Sequence, residues 1–365
     1  MKVVFSGGGT GGHIYPALAI KEILKEKYDF EAGYIGVTGG LEEKIVEREK
    51  DILFMGVEAL GMPRKLSLKW FSFPFVNLRG IYKAYKHLKE FKPDLAITTG
   101  GFVAFPVLAA AGILNIPVVM HEQNAAMGVT NRLFVSSAKK VFLTYESAYK
   151  PDNDRIIVTG NPVRKAFLNQ NKADTNKLFA KNNEDFTVAV VGGSRGALSL
   201  NKLCIELAQT WLTEHKNVKL IHISGERDYE MVKNAVKNPP ENYTLLPYHH
   251  EMKEIFDASD LLISRAGATI LAEIAVCKKP AILVPYPYAT DNHQEKNAKV
   301  LEDLNAAKML RDDQLTLDAV SKLLIELQDQ QTLKAMSAAM GNSRPANVEN
   351  KILDQLTPFF PQTLK

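Results

Sequence analysis

His13 has the surroundings that most suggest chemistry. It closes the run Gly7-Gly8-Gly9-Thr10-Gly11-Gly12-His13, behind a short apolar stretch (Val3, Val4, Phe5) that reads as a strand. Five of the six residues before it are glycine, the residue used where the backbone takes positive φ or another group must come close. A helix opening at Pro16 would aim its unpaired N–H groups and positive dipole end back at this loop, which suits phosphate or developing negative charge. The same positive end favours the neutral imidazole, the form that accepts a proton, so His13 reads as a general base rather than a phosphate ligand. A purely structural histidine would need a core to pack into, and a glycine loop offers little.

Two commoner readings of such a loop fall away. Gly7, Gly9 and Gly12 fit the dinucleotide pattern, but a nicotinamide site also needs an acidic residue closing the second strand, and the stretch 32–37 runs into Thr38-Gly39-Gly40. No Gly-Lys-Ser/Thr follows any glycine run, so a Walker loop is excluded as well.

Loops of the same logic recur. A strand through Ile97 runs into Gly100-Gly101-Phe102, and Val118-Val119-Met120 leads into four polar residues, His121-Glu122-Gln123-Asn124. Further on, Gly192-Gly193-Ser194-Arg195-Gly196-Ala197 follows a strand and sets a hydroxyl and a cation where a phosphate could lie. Finally, Arg265-Ala266-Gly267-Ala268-Thr269 opens a helix with Glu273 one turn inside, where a carboxylate can reach a ribose diol while the helix start holds a diphosphate. Together these read as a nucleotide-sugar site.

The elements that must position these groups are short apolar runs alternating with helical patterns, the signature of parallel sheets covered by helices on both faces. Strands are expected near 2–6, 32–37, 52–57, 94–98, 117–121, 140–144 and 156–159, then near 186–191, 218–223, 243–246, 260–264 and 281–284, with a helical tail from 314 onward. The polar stretch 169–176 between the two series reads as a linker or surface loop. Two doubly wound α/β domains fit best, with ligands expected at the carboxyl ends of the strands, in the cleft between the domains.

A chain of 365 residues is also long enough for two cores. Its two cysteines, Cys204 and Cys277, lie in apolar runs and suggest buried thiols in a reducing compartment; no metal cluster can be built from them. The first residues form a core strand rather than a signal peptide, and no transmembrane run is read, so a cytoplasmic protein is expected. The net charge of +4 lies wholly in the first half, where residues 1–163 carry 20 Lys+Arg against 16 Asp+Glu, and 164–365 carry 25 of each. Leu66, Leu68, Trp70, Phe71, Phe73 and Phe75 crowd what reads as a loop among Arg64, Lys65, Lys69 and Arg79, followed by a helix with Lys83, Lys86 and Lys89. Apolar side chains interleaved with cations suggest contact with an anionic membrane surface; the alternative is a small satellite core. Nucleic acid is not expected, because the second domain has no matching basic groove.

At this point the motifs GGGTGGHIYPALAI from Gly7, HEQN at 121–124, GNPVR at 160–164, GGSRGA at 192–197, RAGATILAE at 265–273 and DNHQEKNA at 291–298 resemble those of the MurG family of peptidoglycan glycosyltransferases. The match runs in unbroken order to about Ala298. The resemblance implies a GT-B fold and an inverting transfer of N-acetylglucosamine from UDP-N-acetylglucosamine to the 4-hydroxyl of lipid I, without cofactor or bound metal. It further implies an acceptor- and membrane-associating domain over 1–163, a donor domain over 164–340 joined through a linker at about 160–185, and a helical tail over 341–365 packing back toward the first domain. The enzyme would sit at the cytoplasmic face of the membrane, with other cell-wall synthesis proteins as further partners. Carried over residue by residue, Thr10, Gly11 and Gly12 would lie by the donor's sugar and phosphates, Asn124 by the sugar, and Arg164 and Ser194 by the diphosphate. The backbone of His249 would read uracil, and Ala268, Thr269, Ile270, Leu271 and Ala272 would form the phosphate-facing helix start. Glu273 would take the ribose hydroxyls and Gln294 the sugar hydroxyls, with His13 and Glu122 as candidates for activating the acceptor. Members commonly carry a hydroxyl at position 270; with Ile270 here, Thr269 or backbone amides would serve. Phe102 stands where many members have tyrosine.

Such a transfer needs a base, stabilisation of departing UDP and exclusion of water. A metal-dependent rival would chelate Mg²⁺ through Asp-x-Asp, but Asp152-Asn153-Asp154 lies in a polar loop away from every glycine motif and reads as a solvated turn. Two other classes compete: a nucleotide-sugar epimerase, which has no use for the basic aromatic patch, and a non-catalytic membrane adaptor, against which His13, Glu273 and Gln294 all argue.

Overall fold

All the pairing between the strands is parallel, the arrangement that buries both faces of a sheet and reads in sequence as short continuous apolar runs. The computed structural model describes residues 1–62, 69–149, 154–169, 185–193 and 196–361. A seven-stranded sheet takes β1 (Lys2–Ser6), β2 (Glu31–Val37), β3 (Ile52–Val57), β4 (Leu95–Thr98), β5 (Val118–Glu122), β6 (Lys140–Leu143) and β7 (Ile156–Val158) in the order β3-β2-β1-β4-β5-β6-β7. A six-stranded sheet takes β8 (Phe186–Val191), β9 (Val218–Ile223), β10 (Tyr243–Leu246), β11 (Leu261–Ser264), β12 (Ala281–Leu283) and β13 (Ala307–Met309) in the order β10-β9-β8-β11-β12-β13. The twelve strands read from the sequence are present; β13, three residues with Ala307 alone buried, has no apolar run to mark it. In each sheet the winding direction reverses once, between β1 and β4 and between β8 and β11. Those are the crevices where doubly wound sheets take ligands.

The chain divides into two compact units, Met1–Lys165 with Pro345–Lys365, and Ala166–Arg344. In the first, side chains of β1 alternate faces as a period of two requires. Val3 and Phe5 join Ile14, Ala17 and Leu24 of α1 (Gly11–Lys27) together with Ile352 and Leu356 of the last helix, Val348–Leu356. Val4 packs on the other face with Ala84 and Leu88 of α3 (Lys69–Phe91) and Val107 and Ala111 of α4 (Ala104–Ile113), numbering as α2 the short helix Leu41–Val46. Stacking of Tyr28 on Phe360, with ring centroids 4.4 Å apart, ties the chain's end to this unit. In the second unit, Val188, Leu200, Ile263, Ile282 and Val320 belong to one cluster.

Two stretches expected as loop are helical. The first helix opens at Gly11, with Thr10 as N-cap and the N–H groups of His13 and Ile14 both donating to Thr10 O; Pro16 lies inside it. Of the aromatics expected in a loop, Trp70, Phe71, Phe73 and Phe75 belong to α3, which carries Pro74 inside. Each proline forfeits one backbone N–H bond, and burial of the helix's apolar face offsets that loss. Lys65 and Leu68 lie outside the described residues.

The last helix should therefore act as a structural member of the first unit. Ile352→Ala is expected to lower its unfolding free energy by roughly 2–5 kcal/mol, read as a lower urea midpoint at unchanged slope; an unmoved midpoint would show that the helix does not hold the sheet.

Candidate active site

The glycine loop after β1 and the loop after β4 are interlocked. A Cβ on Gly7 would lie 2.0 Å from Thr99 Oγ1, and one on Gly101, where φ is +80°, would lie 2.3 Å from Gly8 O. Thr99 joins both loops: its N–H donates to Ser6 O at 2.9 Å and its hydroxyl to His13 O at 2.6 Å. A carboxylate occupies the near side of the first loop. Buried Glu42 accepts from Gly9 N–H (3.3 Å) and from Val37 N–H (3.0 Å). No local pattern signals this contact, because Glu42 comes back to the loop from the first turn of α2 rather than from the end of β2.

His13 sits in the first turn of α1, half-buried, with Nδ1 2.8 Å from Thr99 O and 2.9 Å from Gln123 Oε1. Among the described residues its Nε2 makes no hydrogen bond. Gln123 Nε2 lies 2.9 Å from Nδ1 of fully buried His121, whose Nε2 lies 3.1 Å from Gly160 O. Burial pushes the His121 pKa down to about 4, against the opposing pull of the Gly160 hydrogen bond and the Glu122 charge. Glu122 itself is fully engaged: Asn124 N–H and Nδ2 donate to Oε1 at 3.0 and 3.1 Å, and Gly128 N–H and Asn131 Nδ2 to Oε2 at 2.9 and 2.8 Å. Thr10, Gly11, Gly12, His13, Glu122 and Asn124 are thus gathered at the carboxyl ends of β1 and β5, on either side of the loop after β4. Gln123 and Thr99 are the partners that sequence reading passed over. Arg164 lies in the same unit with its guanidinium 4.5 Å from the centroid of the Tyr15 ring.

In the second unit the helix Ala268–Val276 begins after Gly267, with Thr269 and Glu273 buried and Ile270 half-buried. Gln294, in the first turn of the helix His293–Asp303, accepts from Tyr286 N–H at 2.9 Å through Oε1, which leaves Nε2 as the group able to donate to a sugar hydroxyl. His249 lies beyond β10, its Nε2 2.9 Å from Oε2 of Glu254 in the first turn of the helix Met252–Ala258. Ser194 lies outside the described residues. Arg265, unassigned in the sequence, is a strut: it donates to Asp312 Oδ1 at 2.5 Å, Ser199 Oγ at 2.8 Å and the carbonyls of Val284 and Pro285 at 3.1 and 3.2 Å. The glycine loop after β8 rests on a buried polar chain. Asn201 Nδ2 donates to Ser224 O and Asp228 Oδ2, and His222 bridges Asn201 Oδ1 and the Tyr243 hydroxyl at 2.9 and 2.8 Å.

Along α3, Phe71, Phe75, Leu78 and Tyr82 fall at i, i+4, i+7 and i+11, on one face. Phe71 and Phe75 are 76% and 70% exposed, Trp70 is exposed too, and Phe73 is half-buried. Exposed Arg79 lies beside them, and Lys86 Nζ is 5.5 Å from the centroid of the Tyr82 ring. Of Lys69 only the backbone is described. No described helix is long and apolar enough to cross a membrane, and no described group of three or more His, Cys, Asp and Glu is placed to hold a metal ion.

Two doubly wound units with glycine loops at their reversal points make up the GT-B glycosyltransferase architecture. The crystal structure of Acinetobacter baumannii MurG aligns over 98% of this chain and 99% of its own with a TM-score of 0.73 and 28% identity. The glycosyltransferase family 28 N-terminal domain matches residues 3–143 and the family's C-terminal domain residues 187–352. The UDP-N-acetylglucosamine–N-acetylmuramyl-(pentapeptide) pyrophosphoryl-undecaprenol N-acetylglucosamine transferase of Bacillus pumilus is 41% identical over 98% of this chain and 95% of its own. That of Halothermothrix orenii is 41% identical over 92% and 93%. The chain belongs to glycosyltransferase family 28, and within it to the MurG family of N-acetylglucosamine transferases.

The His222 environment generates a pH dependence. Burial pushes its pKa down to about 3, whereas an unfolded histidine titrates near ~6.5. The unfolded chain therefore binds the proton first, and this share of stability is present above ~6.5 and lost as pH falls toward 3. His222→Gln should flatten the fall of the second unit's urea midpoint between pH 6.5 and 4, where one such histidine contributes up to about 1.4 kcal/mol per pH unit; an unchanged slope would exclude this ionisation as its source.

Proposed function

We infer that this chain transfers N-acetylglucosamine from UDP-N-acetylglucosamine to the 4-hydroxyl of the N-acetylmuramyl-pentapeptide of lipid I, giving lipid II, with inversion and without a metal. The observation that carries the reading is the 41% identity to a transferase named for this reaction over nearly the whole of both chains. The first unit takes the acceptor and the second the UDP-sugar. His13 is the base: its ring is anchored through Nδ1 alone, whereas the Glu122 carboxylate is spent on four donors that shape the 122–131 loop. The helix start at Ala268–Ala272 and Arg164 offset charge developing on departing UDP, Glu273 takes the ribose diol and Gln294 donates to the sugar. Thr10, Gly11, Gly12 and Asn124 border the donor's sugar.

The enzyme works at the cytoplasmic face of the membrane, as a peripheral protein. The apolar face of α3, edged by Arg79, Lys83 and Lys86, supports insertion among anionic headgroups next to an acceptor held by its lipid tail.

Two experiments test these readings. Labelled donor and a lipid I analogue with EDTA present should yield lipid II from the wild type, and His13→Ala should lose at least about a hundredfold in kcat. Equal product from both proteins would move the base elsewhere, and epimerised UDP-sugar without transfer would replace the function. The double variant Phe71→Asp, Phe75→Asp should stop co-sedimenting with anionic vesicles yet keep transfer to a water-soluble acceptor within about twofold; undiminished sedimentation would remove α3 as the membrane face.

A further inference from the structure

We infer that Gln123 and His121 are positioning residues that hold His13 in the one neutral tautomer able to take the acceptor's proton at Nε2. The inference rests on the reading of His13 as the base, and its polarity is fixed from the far end of the hydrogen-bond chain. Gly160 O can only accept, so the His121 nitrogen 3.1 Å away, Nε2, carries a proton. The Gly160 backbone is not free to turn. Its φ is +89°, and a Cβ there would lie 2.7 Å from Val348 Cγ2 and 3.3 Å from Pro345. His121 lies wholly buried within β5, where a charged ring is disfavoured. Its Nδ1 is therefore a lone pair and accepts from Gln123 Nε2 at 2.9 Å; the same amide nitrogen gives its second proton to His121 O at 3.1 Å. Both amide protons are then used, which settles the orientation of the Gln123 amide and turns Oε1 toward His13.

At His13 Nδ1 two oxygens converge, Gln123 Oε1 at 2.9 Å and Thr99 O at 2.8 Å, and neither can donate. Nδ1 must carry the hydrogen, because the other tautomer would set its lone pair against both oxygens. Nε2 is left bare, on the side of the ring with no hydrogen bond among the described residues. When Nε2 takes the hydroxyl proton, the positive ring still donates from Nδ1 to two carbonyl-type oxygens. The proton goes no further, since an amide cannot ionise and the His121 proton already belongs to Gly160. The chain from Gly160 to His13 is thus a strut rather than a proton wire, and the C-terminal segment that fixes Gly160 supports it from behind.

Ring-¹⁵N-histidine protein, read by long-range ¹H–¹⁵N correlation with the His13 signals assigned by their absence in His13→Gln, tests this directly. The wild type should show His13 protonated at Nδ1 and bare at Nε2; the opposite tautomer would overturn the inference. Gln123→Leu should leave the KM for UDP-N-acetylglucosamine within about twofold while kcat falls about tenfold or more, with a mixed His13 tautomer. An unchanged kcat and spectrum would show that Gln123 does not position the base. Failure of the wild type to make lipid II would instead sink the proposed function, and the ring spectrum reports the tautomer in either case.

Discussion

Close backbone approach between two loops is the constraint on which the first unit depends. Gly8 and Gly101 meet with no room for a methyl group between them, so the loops after β1 and β4 cannot fill the space with side chains. Thr99 exploits that closeness. Its N–H, hydroxyl and carbonyl reach Ser6, the His13 backbone and the His13 ring, so the strand that ends there sets both where the imidazole sits and which nitrogen it offers. A parallel sheet makes such precision available, because adjacent strands deliver their carboxyl ends to one edge. The interlock converts that general feature into a placed side chain.

The second unit meets the same demand by different means. Its loops after β8, β11 and β12 are held by side chains rather than by glycine contact alone. Arg265 reaches from the end of β11 to Ser199, Asp312 and two carbonyls after β12, and a planar cation with several fixed donors is suited to join acceptors on separate segments. Beneath the first of these loops, Asn201 and His222 satisfy each other and their neighbours. A buried polar chain left half-satisfied would cost more than an apolar one; satisfied throughout, it fixes a single arrangement.

Much of this was legible in the chain because periodicity and glycine clusters are local signals. The alternation of Val3, Val4 and Phe5, the glycine runs and the polar residues after β5 located twelve strands and the loops at their ends. What was not legible depends on distance in sequence. Pro16 resembles a helix start and the aromatics around Pro74 resemble a loop, yet both stretches are drawn into helix by what the helix buries. Glu42 acts on Gly9 across 33 residues, and no spacing rule reports that. Gln123 stood in a motif that was read for its acid and its asparagine, because an amide's role appears only when both of its neighbours are known. The β13 strand is three residues in a sheet whose other members define it.

Electrostatics separates two glycine loops that look alike in sequence. The loop after β1 has a carboxylate lodged against it: Glu42 takes the Gly9 amide, one of the donors that a phosphate would require. That arrangement disfavours an anion and favours a cation nearby, which is what His13 becomes once it holds a proton. Glu122 lies buried at the end of β5, one strand beyond β4. Near the loop after β8 the corresponding acid is Asp228, but Arg227 lies 2.8 Å from it and holds its carboxyl below the usual range, so the pair presents little net field to a ligand. The two loops therefore differ in the charge set beside them, although both follow a strand and lead into a helix. What separates them is where the carboxylates lie and what neutralises them, not the glycine pattern that they share.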